Sequence, residues 1–121
     1  MKYHKDIYFP TEKQKELNTF NDNLQGVKLH WTHHAKQRIV KIENIQYFYQ
    51  WYTKLSLKSD NIIEYTTQEN GKIEKVLYRL KYNEINDVLI SISNKAYVLT
   101  IWHNRKTDKH NTLNTKQYQT I

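Results

Sequence analysis

Ile62-Ile63-Glu64-Tyr65-Thr66-Thr67-Gln68-Glu69-Asn70-Gly71-Lys72-Ile73-Glu74-Lys75-Val76-Leu77-Tyr78-Arg79-Leu80-Lys81-Tyr82 is the stretch on which the fold turns. Ile62 to Thr67 is rich in β-branched residues and reads as a strand. Asn70-Gly71 is the strongest short hairpin signal, because both residues tolerate positive φ. Beyond it the side chains alternate. Val76, Tyr78, Leu80 and Tyr82 fall on one face of a strand from Ile73 to Tyr82, and Leu77, Arg79 and Lys81 on the other. Downstream, Asn83 to Asp87 turns the chain. Val88–Ser93 and Ala96–His103 then make a second hairpin around Asn94-Lys95.

Upstream the period is helical. Pro10-Thr11-Glu12-Lys13-Gln14 opens a helix, with Thr11 as cap and Gln14 three residues on, as in a capping box. It runs to about Asn23 with Leu17, Phe20 and Leu24 as its apolar stripe, and Gly26 stops it. Val27 to Trp31 is a short extended piece. Thr32 caps a second helix from His33 to about Ile42, with Ala35, Ile39 and Ile42 inward. A third runs from about Asn44 to Leu55, with Ile45, Phe48, Tyr49 and Tyr52 inward. Helices followed by about four antiparallel strands predict an α+β fold, the helices on one face of the sheet. The 121 residues make a single domain, closed by a polar stretch from residue 104 to 121 that is disordered or an ordered wrap.

Composition narrows the chemistry. The chain has no Cys, which excludes disulfides, thiolate zinc sites and a cysteine nucleophile. It has two glycines, too few for a phosphate-cradling loop or a dinucleotide fingerprint. Its 12 acids form no tight group of the kind that holds Mg²⁺, so a two-metal nuclease is not expected. No cofactor is implied. No apolar run approaches the roughly 20 residues of a membrane span, and residues 1–10 lack a signal-peptide core, so the cytoplasm is the expected compartment. The abundance of Asn, Lys, Ile and Tyr points to an AT-rich genome, as in many bacteriophages and low-GC bacteria.

The net charge is +7 and unevenly spread. Residues 28–58 carry six cations against Glu43 alone, a local +5. Residues 95–121 carry five against Asp108 alone, a local +4. Five of the six histidines lie in these two blocks. If the blocks meet, they form one basic patch that attracts polyanions by steering and counterion release. If they do not, they are solvated faces that confer solubility.

Two constellations carry candidate chemistry. In the first, His34 and Arg38 lie four apart on one helix face with Lys41 nearby, and Lys36 between them. In the second, Trp102, His103, Arg105 and Lys106 follow the last strand. His103 and Arg105 alternate to one side, Arg79 and Lys81 are available from a neighbouring strand, and Trp102 can stack on a base. Histidine moves protons near neutral pH, and arginine offers a fork of donors to phosphate. Each constellation also has a structural reading, as packed residues and solvated charge. His30, His33 and His34 could hold zinc, but no nearby carboxylate would orient them. The chemistry that fits without a metal is attack of an RNA 2′-hydroxyl on its adjacent phosphate, which makes RNA the favoured polyanion over DNA.

Leu29-His30-Trp31-Thr32-His33-His34-Ala35-Lys36-Gln37-Arg38 resembles the opening "T-x-H-A-x-x-R-I" motif of a small bacterial and phage family. That family is grouped with the RelE-like and BrnT-like toxin ribonucleases. Tyr97-Val98-Leu99-Thr100-Ile101-Trp102 resembles its late strand. The resemblance spans about residues 29–103 and implies a RelE- or barnase-like sheet with helices on it. It also implies a metal-independent endoribonuclease, with an antitoxin or other protein partner, and His34 and Arg38 as the matching His and Arg. The chain lacks the Arg-Gly-Ile/Val-Ser element that often follows the first motif, reading Lys41-Ile42-Glu43-Asn44-Ile45 instead. That departure keeps a second class open. It is a non-enzymatic phage accessory, virion or host-enzyme-inhibiting protein that binds through its tyrosines and its C-terminal stretch.

Overall fold

The computed structural model describes residues 2–5, 9–39 and 44–107. In chain order these form β1 (Lys2–Lys5), α1 (Thr11–Leu24), β2 (His30–Trp31), α2 (His33–Ile39) and α3 (Ile45–Thr53). A 3₁₀ turn (Ser59–Asn61) leads to β3 (Ile62–Thr67), β4 (Ile73–Lys81), β5 (Asn86–Ser93) and β6 (Tyr97–Arg105).

The α+β class is as expected, but the sheet is not a four-stranded antiparallel one. It has six strands in the order β1-β3-β4-β5-β6-β2. The central four run antiparallel, and β2 lies parallel to β6, with His30 opposite Tyr97 and Trp31 opposite Val98. Both added strands are edges: β2 lies within the Val27–Trp31 piece expected to be extended, but neither its pairing with β6 nor β1 could be read from hydrophobic period. β1 is four residues with charged ends, and β2 is two residues long.

Gly71, at φ 85, and the Gln68–Lys72 backbone bond close the first hairpin at Asn70-Gly71, as its sequence requires. The second closes through Ala96 at φ 64. Val76, Tyr78, Leu80 and Tyr82 all face the core, joined there by Val88, Ile90 and Ile92 of β5. The helices cover this face. α1 contributes Leu17, Phe20 and Leu24, α2 contributes Ala35 and Ile39, and α3 contributes Phe48.

The helix ends differ from the sequence expectation in ways the hydrogen bonds explain. Thr11 is the first helical residue and not the cap. Pro10 takes that place, no side chain caps α1, and Gln14 Nε2 donates instead to the Phe9 carbonyl at 2.8 Å. Thr32 does cap α2, its hydroxyl accepting from Ala35 N at 3.1 Å. Asn44 caps α3 rather than opening it. It sits at φ 55, in the left-handed region that Asn tolerates, and its Oδ1 accepts from Tyr47 N. On α3 the inward stripe is Ile45, Phe48, Trp51 and Tyr52. Tyr49 points outward, 52% exposed, because it lies about 100° round the helix from Phe48. Ile42, Lys41 and the far end of the expected second helix lie outside the described residues, as do residues 108–121.

Candidate functional site

The site begins with an irregularity in β6. Between β5 and β6 the register slips, so that Ser91 faces Thr100 but Ile92 faces Val98. The extra residue is a β-bulge. Its effect is to exchange the faces of everything beyond it. Val98 is buried on the helix side, and after the bulge Ile101 and then His103 take that side. Trp102 is sent to the opposite face. Thr32, at the start of α2, secures the bulge. Its N–H donates to the Val98 carbonyl at 3.1 Å and its hydroxyl to the Leu99 carbonyl at 3.0 Å.

His103 therefore enters the end of the aromatic core. Its ring lies 4.6 Å from that of Tyr82, tilted by 48°. Nε2 is buried and has no hydrogen-bond partner among the described residues, and the same holds for the Tyr82 hydroxyl. Burial lowers the His103 pKa below the ordinary 6.5, so the ring is neutral at pH 7. Burial, reinforced by the nearby Tyr47, raises that of Tyr82, so its phenol keeps its proton.

An open cleft lies over these two groups, lined by Asn44, Tyr47, Tyr82, Asn83, Asn86 and His103. Tyr47 sets one wall. Its hydroxyl donates to the Tyr82 carbonyl at 3.3 Å, and the two rings meet edge to face at 5.1 Å. The floor turn is fixed by Asn83, whose Oδ1 accepts from the N–H groups of Ile85 and Asn86. Asn86 is the cross-strand partner of Arg105, so the Arg105 side chain leaves the sheet on the side of the cleft. The lining offers a neutral imidazole, phenols and amides, with a cation beside it.

Among the described residues, the start of the first basic block meets the second. β2 pairs with β6 and α2 packs along it, placing exposed His34, Lys36 and Arg38 on the same layer as the cleft. No ion pair to Lys36, Arg38 or Arg105 forms among the described residues. His34 and Arg38 lie outside the lining of the His103 cleft.

The remaining candidates are held elsewhere. β5 separates β4 from β6, and the register places Arg79, Leu89 and Trp102 in one row on the face opposite His103. Arg79 thus does not join His103 and Arg105 in a phosphate clamp. Its Nε donates to Asp87 Oδ2 at 2.7 Å, and its Nη2 to the Arg105 carbonyl at 3.1 Å. Lys106 completes this network through Asp87 Oδ1 at 2.8 Å. Lys81 is well exposed and lies 3.8 Å from Glu84. Lys41 is outside the described residues. No group of three or more His, Asp or Glu residues converges among the described residues. His33 instead contacts Gln37, and His30 lies against Tyr97.

Sequence reasoning missed Asn44, Tyr47, Tyr82, Asn83 and Asn86 as site residues. Tyr82 reads as core, which it also is. The Asn83 turn was legible, but not that it faced a histidine. Comparison with protein-family models, curated proteins and solved structures finds no match to this chain.

Proposed function

We propose that this is a basic RNA-binding domain whose contact surface runs along α2 and β6 into the His103 cleft. The observation that carries the reading is the bulge. It turns a neutral histidine into an open cleft beside Arg105, on the layer that also presents Lys36 and Arg38. Exposed cations supply affinity for phosphate, and the amide and phenol side chains that line the cleft supply selectivity. The tyrosine walls suit an unstacked base of single-stranded RNA.

The same groups support metal-independent cleavage. His103, neutral and at the cleft, would accept the 2′-hydroxyl proton once a bound nucleotide uncovers its buried Nε2. The 2′-oxygen then displaces the 5′-oxygen at phosphorus, leaving a 2′,3′-cyclic phosphate, and the departing oxygen takes a proton from water. Arg105 would offset the charge that builds on phosphorus.

A second reading rests on exposed apolar groups at the cleft rim. Tyr47 is 44% exposed and Ile85 65%, a patch suited to a protein partner.

Labelled RNA and DNA titrated in EDTA across a salt series separate the readings. An RNA binder loses affinity steeply with salt, and Arg38→Ala or Arg105→Ala lowers the slope of log affinity against log salt by about one. Cleavage that survives EDTA and disappears in His103→Gln assigns the ribonuclease. No binding at low salt sinks the RNA reading and favours the protein partner.

A further inference from the structure

The asparagines of the His103 cleft are not equivalent, and hydrogen bonds decide which end of each amide a ligand meets. Asn44 caps α3, its Oδ1 accepting from Tyr47 N at 3.2 Å. Asn83 closes the turn between β4 and β5, its Oδ1 accepting from Ile85 N at 2.9 Å and from Asn86 N at 2.7 Å. Only the oxygen of an amide can accept from a backbone N–H, so these bonds fix both side chains against a flip. Neither Nδ2 bonds to another described residue. Asn44 is exposed and Asn83 half-buried, so both donors are open to a ligand. The side chain of Asn86 makes no bond among the described residues, and its amide can turn either way. The cleft therefore presents two fixed donors on separate elements and one amide that adapts.

We propose that the cleft selects uracil, the one RNA base without an exocyclic amino group. This rests on the RNA-binding reading above. Uracil carries a carbonyl on each side of its N3–H. The two carbonyls each take a hydrogen bond from a fixed donor, and the Asn86 oxygen accepts from N3–H. Single-stranded RNA offers this edge freely, because its bases can be splayed out of the stack. Cytosine differs on that edge, where an amino group replaces the O4 carbonyl and N3 bears no hydrogen. The amino group sets donor against donor at one of the fixed amides. A site built to hydrogen-bond one group discriminates against the analogue that leaves its own polar group unmet. Adenine and guanine also bring an amino group to the same donors. Tyr47, 44% exposed on the cleft wall, adds a ring on which any base can stack, so the choice falls to the amides.

Oligo(U), oligo(C) and oligo(A) of equal length, titrated against the full chain at one low salt concentration, test the assignment. Oligo(U) should bind at least about fivefold more tightly than the other two. Asn83→Asp keeps the oxygen that holds the turn but replaces the donor by an acceptor, which suits the cytosine amino group. The added negative charge weakens binding to all RNA, so the quantity read is the ratio of U to C affinity. That ratio should fall about tenfold. Asn44→Asp, which still caps α3, should move it the same way and carries the test if the first variant does not fold. A merely structural role for either asparagine would leave the ratio where it was. Equal affinity for oligo(U) and oligo(C), or a ratio that neither variant moves, overturns the uracil assignment, while salt-sensitive binding to both keeps the RNA reading. No binding of any of the three at low salt overturns both.

Discussion

His103 and Asp87 show how one strand and its neighbour use ionisable groups on opposite faces. His103 is held neutral by burial, so acid works against the fold. The unfolded chain binds a proton below 6.5, whereas the folded ring does so only at lower pH. Stability should therefore fall as pH drops below 6.5 and level off beneath the folded pKa. The His103 ring resonances should titrate with a midpoint below 6.5, and a midpoint at or above it would contradict the burial described. For Asp87, burial alone would raise the pKa. The hydrogen bonds and charges of Lys106 and Arg79 overcome that and hold it below 3.8. Its stabilisation is present above 3.8 and is lost as pH falls through the lowered value. Asp87→Asn leaves two cations without their acceptor charge, and should lower unfolding free energy by about 1–3 kcal/mol in urea titration. RNA affinity should hold in that variant, since Arg79 and Lys106 serve the fold.

At the scale of elements, polar contacts fix how α1 sits on the sheet. The buried Tyr78 hydroxyl donates to Asn21 Oδ1 at 2.7 Å, and Asn21 Nδ2 donates to the Leu57 carbonyl at 3.2 Å. Asn21→Ala strands a buried phenol and should cost about 1–3 kcal/mol. Adding Tyr78→Phe should then cost less than it does alone, which a double-mutant cycle of denaturant midpoints reads directly. Little of this was legible beforehand. Asn21 lies beside the Leu17–Phe20–Leu24 stripe and looks like a surface residue. The parts that were legible rest on long, regular patterns, namely the Ile73–Tyr82 alternation, the Asn70-Gly71 turn and the spacing of Leu17, Phe20 and Leu24. The parts that were not legible depend on tertiary pairing. β1 and β2 are too short to carry a period, and their partners are remote in sequence. The bulge in β6 leaves no mark in Leu99-Thr100-Ile101, which reads as uninterrupted strand. Hence His103 and Arg105 were rightly set on one side, while Arg79 and Trp102 were grouped with them although they stand on the other.

The whole molecule divides its charge by layer. On one side of the sheet, cations without ion pairs among the described residues line α2 and the end of β6. On the other, Arg79 and Lys106 are both ion-paired to Asp87. Arg79→Ala and Arg105→Ala should therefore separate cleanly. The first should lower the melting temperature with RNA affinity retained, and the second should weaken RNA binding with the melting temperature retained. Anisotropy titrations and thermal melts on the same samples check both.

The bulge gives this arrangement a parity. β6 carries one residue more than β5 requires, and that odd residue decides which of two neighbouring side chains faces inward. Absorbing Leu99 into regular pairing, with no residue lost, would swing Trp102 toward the helices and His103 toward the opposite layer, whereas deleting Leu99 would leave both on their present faces. Whatever the cleft does is thus encoded less by the identity of His103 than by the one unpaired residue that stands between it and Val98.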